Sequence, residues 1–152
     1  MVYSVSGKRM YLWRAVDDEG EILDMIMRPY RDVLTATRFL AKLLLTFPEL
    51  PERIVTDGLG SYWSAAKRLK ISHLHVRGRL RENNRAENSH LPVRRRERKM
   101  QKFKSQQSAQ QFLDSWSPIY NTFSTQRHLT SRATLRRLRD HAFASWNEAT
   151  AA

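Results

Sequence analysis

Two acidic residues stand where carboxylates can hold a metal ion. Asp57 ends a short β-branched run, Arg53-Ile54-Val55-Thr56, and is followed by Gly58 and Gly60. A carboxylate at the tip of a buried strand is held rigidly yet left open to a ligand, which suits metal coordination. The plainer role is to cap the helix that follows. Glu87 lies within Asn83-Asn84-Arg85-Ala86-Glu87-Asn88 and either ligates a metal or pairs with neighbouring arginines. Arg94 follows seven positions later and shares the face of Glu87 on a continuous helix, with Pro92 intervening. Oxygen-only ligands suit Mg²⁺ or Mn²⁺, whose sites combine a few carboxylates with water and substrate phosphate oxygens. Two such acids joined by a positive track are what phosphoryl transfer on DNA requires.

The positive track is pronounced. The 152 residues carry 27 Lys and Arg against 15 Asp and Glu, a net charge of +12, so a polyanionic partner is expected. Positions 77 to 104 hold eleven of those cations against Glu82, Glu87 and Glu97. Such a block either binds phosphates or forms a solvated basic face. Charge alone separates neither duplex DNA from RNA nor a ribosomal partner from a chromosomal one. Other chemistries find little support. There is no cysteine, which removes disulfides, thiolate zinc sites and cysteine nucleophiles. His73 and His75 are two apart, with no His-Glu-x-x-His helix beside them, so zinc is disfavoured. Neither a glycine-rich phosphate loop nor a Gly-x-Ser-x-Gly elbow is present. With no signal-peptide core and no apolar run long enough for a membrane span, a soluble cytoplasmic protein is expected.

The elements that must position these residues follow from hydrophobic spacing. Val2 to Val5, Met10 to Val16 and Ile22 to Met27 read as an antiparallel meander, with turns at Gly7-Lys8 and Asp17-Asp18-Glu19-Gly20. From Asp32 as N-cap, Val33, Ala36, Leu40, Leu43, Leu44 and Phe47 recur at helical spacing until Pro48. A short strand to Asp57, a helix from Ser61 to Leu69 and a weaker strand over Ile71 to Val76 come next. The basic segment predicts a helix from Asn84 to Phe103, disturbed at Pro92; Ala109 to Phe123 predicts another, kinked at Pro118. A last helix is expected from Thr134 to Trp146, with 148–152 as a frayed tail. Trp13, Trp63, Trp116 and Trp146 fall on apolar faces and read as core. Meander, helix, strand, helix, strand and further helices is the order of an α/β layer with a mixed sheet.

The sequence resembles the single-frame transposases of bacterial insertion-sequence family six. The marks are Tyr11-Leu-Trp-Arg-Ala-Val-Asp17, Ile54-Val-Thr-Asp57 with Ser61-Tyr62, Asn83-Asn-Arg-Ala-Glu-Asn-Ser-His90, Arg94-Arg-Arg-Glu-Arg-Lys-Met100 with Phe103-Lys104, and Tyr120-Asn121 leading to Gln126-Arg-His-Leu129. The resemblance implies a ribonuclease H-like catalytic domain over residues 1–147: a mixed sheet, antiparallel meander then parallel strand, flanked by helices, with further helices at the C-terminus. It implies an Asp-Asp-Glu triad whose second and third members match Asp57 and Glu87 as catalytic metal ligands. Arg94 would then contact a phosphate, and Arg85, Arg95, Arg96, Arg98, Lys99, Lys102 and Lys104 would line the DNA. The implied reaction is cleavage at transposon ends and strand transfer with Mg²⁺ or Mn²⁺. The implied partners are end and target DNA and a second copy of the chain or an intact transposase, at the nucleoid. The triad's first aspartate falls just before the residues matched by Met1 to Val5, so weak metal binding and little transposition are expected of this polypeptide alone. The alternative is a non-catalytic basic DNA-binding remnant that assembles or competes with intact transposase. Asp17 and Asp24 match ordinary family positions, whereas Gly58-Leu59-Gly60 and Trp63 depart from the pattern.

Overall fold

The computed structural model describes residues 1–47, 49–78, 90–123 and 131–151. Its first element is the expected meander: β1 (Val2–Val5), β2 (Lys8–Val16) and β3 (Ile22–Arg28), in spatial order β1-β2-β3. Val5 pairs with Lys8 across Ser6-Gly7, both at positive φ (48° and 77°), the backbone that a two-residue hairpin loop favours. At the next turn Asp17 Oδ1 accepts the Glu21 N–H at 2.8 Å, a local role for that acid. Asp24 pairs with Lys42 at 2.8 Å.

Alternation along β2 divides the core. Met10 and Leu12 pack with Tyr3, Val5, Met25, Met27, Val93, Phe103 and Leu113. Trp13 joins Ile26, Ala36, Phe39, Leu40 and Ala65 in a second cluster. A strand buried on both faces needs a helical layer on each side, and the chain supplies both.

One layer is α1 (Val33–Thr46) with α2 (Gly60–Arg68). Asp32 caps α1 as expected by accepting the Thr35 N–H at 2.7 Å, and this bonding lowers its pKa. Helix α2 connects β4 (Ile54–Thr56) to β5 (His75–Arg77), which pair in parallel. The fold is therefore mixed α/β. The expected single mixed sheet is realised among the described residues as two ladders, with β4 bonded to β5 and the antiparallel meander separate. The Ile71–Val76 strand is shortened and displaced to His75–Arg77.

The opposite layer comprises α3 (His90–Lys99) and α4 (Gln106–Phe123). Helix α3 stops before the expected limit at Phe103. Gln101 and Lys102 take left-handed φ (55° and 69°), while Lys102 N–H bonds to Glu97 O at 3.0 Å and Gln101 N–H to Arg98 O at 3.1 Å. That pair of bonds is a Schellman termination formed without glycine. It turns the chain so that Phe103, 3% exposed, packs between Tyr3 and Phe112 with its ring tilted to both.

Helix α4 closes the outer edge of β3 with side-chain amides. Gln110 accepts the Met27 N–H at 3.0 Å and donates to Met25 O at 2.9 Å; Asn121 accepts the Ile22 N–H at 2.8 Å and donates to Ile22 O at 2.9 Å. Pro118 lies inside this helix as the sequence indicates. Helix α5 (Arg132–Thr150) starts at the N-cap Ser131 and rests Phe143 and Trp146 against Phe123. It exceeds the predicted Thr134–Trp146 at both ends and continues into the segment expected to fray. Among the described residues no helix is long and apolar enough to cross a membrane.

Candidate active site

Asp57 follows β4 directly, at the carboxyl end of the parallel pair, the edge where open α/β layers place ligands. It does not cap the next helix: the N-cap of α2 is Leu59, which makes no side-chain cap bond. Instead Asp57 Oδ1 accepts the Leu59 N–H at 3.2 Å, while Oδ2 meets the Arg31 guanidinium at 2.6 Å. The carboxylate is 37% exposed. Its charge adds to burial in raising the pKa of Tyr62, whose ring stands edge-on to Trp13 at 5.3 Å. Arg31 in turn lies over Tyr11, 6.0 Å from the ring centroid. One carboxylate oxygen per neighbour leaves lone pairs for a cation, so the donor chemistry fits Mg²⁺ or Mn²⁺.

Beyond Asp57 the backbone makes room for a second cation. Gly58 has φ +79°, and a Cβ there would lie 2.6 Å from Arg77 Nε. The glycine thus provides both the left-handed turn and the space in which Arg77 lies against the loop. His75 shares β5 with Arg77 and bonds through Nε2 to Thr56 Oγ1 at 2.9 Å, its pKa lowered by burial. Gly58, His75 and Arg77, with Leu59, Gly60, Trp63 and Ser64, line a cleft of about 550 Å³. Trp63 is not core, contrary to the sequence expectation: it is 56% exposed, and Lys67 Nζ stands 5.5 Å from its ring centroid. Ser61, Ala65 and Ala66 face inward from α2, and Trp63 lies two positions from Ser61, across the helix.

The predicted basic residues fall on the opposite layer. Arg94, Arg95, Arg96, Arg98 and Lys99 are exposed along α3, with Lys102 and Lys104 just after it, whereas Val93 and Glu97 point into the core. Burial, reinforced by the Glu97 charge, pushes the Tyr3 hydroxyl up to about 12. Glu87 and Arg85 lie outside the described residues. His90, three positions after Glu87, has its pKa pushed down to about 3 by burial, by the N-terminal ammonium and by Arg14. Among the described residues no group of three or more His, Asp or Glu comes together.

Of the residues around Asp57, sequence reasoning missed Arg31 and Arg77. Arg31 carries no signal beyond its charge. The signal for Arg77 is the glycine at 58, which announces a close approach without naming the partner.

Residues 1–126 match the DDE domain family DDE_Tnp_IS240. The transposase for insertion sequence-like element IS431mec of Staphylococcus aureus is 40% identical over 53 residues, covering 35% of this chain and 23% of that protein. The transposase for insertion sequence element IS257 in transposon Tn4003, also of Staphylococcus aureus, matches to the same extent. The protein pYV0051 of Yersinia pseudotuberculosis is 37% identical over 67 residues, covering 43% of this chain and 63% of that protein. The chain therefore spans about a quarter of the length of the transposases that it matches, at 23%. No solved structure matches it.

Proposed function

Because this chain belongs to the DDE domain family of insertion-sequence transposases, we propose that its α/β layers form a ribonuclease H-like catalytic core that cleaves and joins DNA, with Asp57 and Glu87 as metal ligands. The observation that carries the reading is the Asp57 carboxylate, exposed at the carboxyl end of β4 beside Arg31. When bound, Mg²⁺ or Mn²⁺ supplies activation of water or a DNA 3′-hydroxyl and stabilisation of the leaving oxygen. Asp57 would hold such an ion after Arg31 yields. Arg94 and the exposed cations of α3 would grip phosphates, as would Arg85, Lys102 and Lys104. Their partners are end and target DNA, together with another copy of the chain or an intact transposase, at the chromosome.

Labelled insertion-sequence end DNA tests the reading. Mn²⁺-dependent nicking or joining should fall about a hundredfold or more in Asp57→Ala and Glu87→Ala, beyond the ~10–100-fold seen for outer-shell partners of a metal. Undiminished activity in both variants overturns it.

A further inference from the structure

We propose that the cleft beside Asp57 receives an unpaired nucleobase of the bound DNA, stacked on Trp63. The inference rests on the DNA-processing reading above and adds a subsite to it. The cleft's volume, about 550 Å³, lies in the range of small-ligand pockets, about 300–1,000 Å³. Trp63 lines the cleft with an indole that is 56% exposed, whereas Trp13 is 3% exposed. An indole left largely in water contributes little to the core, and its planar face suits another planar ring.

The surrounding charges select the kind of ring. Lys67 stands 5.5 Å from the indole centroid, drawn to its electron-rich face. Arg77 is seated over Gly58, where no side chain could replace hydrogen without meeting it at 2.6 Å. Cations flanking an aromatic platform favour a planar group linked to phosphates, which is a nucleotide, over an apolar peptide side chain. His75 and Ser64 add polar groups to the wall where a base edge would lie. Within a duplex both faces of each base are already stacked, so only an unpaired or displaced base can use Trp63. Because every base has a π-face, the subsite should tolerate all of them.

The test is binding of the 152-residue chain, in EDTA, to a labelled duplex of about 20 base pairs and to the same duplex with one unpaired thymine. Trp63→Ala should weaken the bulged complex roughly five- to a hundredfold, from the typical contribution of base stacking. The fully paired complex should change less than about twofold. Trp63→Phe should retain most of the preference. As a second readout, the bulged duplex should quench tryptophan emission in the parent chain but not in Trp63→Phe. Equal weakening on both duplexes, no weakening, or unchanged quenching overturns the subsite. If Asp57→Ala and Glu87→Ala leave Mn²⁺-dependent cleavage intact while Trp63→Ala loses the preference, the catalytic assignment falls and the subsite stands. If cleavage depends on the two acids but Trp63 has no effect, only the subsite falls. A chain that binds neither duplex overturns both.

Discussion

A metal ion held by Asp57, as proposed above, would compete with Arg31 for the carboxylate. The 2.6 Å ion pair joins side chains that are each 37% exposed, where water screens the attraction and the net gain is at most ~1 kcal/mol. A divalent cation should displace such a partner readily. Arg31→Ala should therefore tighten Mn²⁺ binding by about two- to fivefold, the equivalent of up to ~1 kcal/mol, as read by calorimetric titration. Weaker binding in that variant would show that Arg31 helps hold the ligand geometry. Gly58 is constrained twice, by φ +79° and by Arg77. Gly58→Ala should cost about 1–3 kcal/mol of stability in urea unfolding, and an unchanged midpoint would refute the strain. Asp57 was legible from its strand and following glycines. The exposure of Trp63 was not, because hydrophobicity ranks tryptophan as core. The phase of α2, set by Ser61, Ala65 and Ala66, overrides that ranking.

Helix α4 illustrates how an element's motif residues can serve architecture. Asn121 was legible only as half of a Tyr-Asn mark, yet its amide satisfies both backbone groups of Ile22 on a strand edge that has no further strand among the described residues. Asn121→Ala should destabilise the chain by about 1–3 kcal/mol, lowering the urea midpoint at constant m; no shift would mean that water replaces the amide at no cost. The start of α3 predicts a pH dependence. His90 has its folded pKa lowered to about 3 from 6.5, so the unfolded chain binds the extra proton first as pH falls. Its contribution is fully present above about pH 6.5 and is lost towards pH 3, by at least ~1 kcal/mol. His90→Gln should flatten that part of the stability profile; an unaltered slope would assign it to other groups. The end of α3 was misread because its Schellman turn places Gln101 and Lys102, not glycine, at left-handed φ.

In the described residues the meander is covered by helices on both faces, and the cations of α3 are turned outward. With a net charge of +12, the DNA binding proposed above should weaken steeply with salt through counterion release. Replacing Arg94, Arg95 and Arg96 by Gln should lower the slope of log K against log salt by about one for each phosphate that is no longer neutralised. A variant with the parent slope would show that this face does not bear on DNA.

The order of elements, the N-cap at Asp32 and the basic character of α3 are all written in the amino-acid order, as is a first turn near Gly7, which falls at Ser6-Gly7 rather than at the expected Gly7-Lys8. Each depends on local backbone preference, side-chain periodicity or charge, which neighbours along the chain encode. Packing of distant segments was needed to place Arg31 on Asp57, Arg77 on Gly58, β4 beside β5 and Trp63 at a cleft. Arg31 and Asp57 are 26 positions apart and Thr56 and His75 are 19 apart. Contacts at such separation depend on how layers stack and strands register, and no local pattern of residues carries that information.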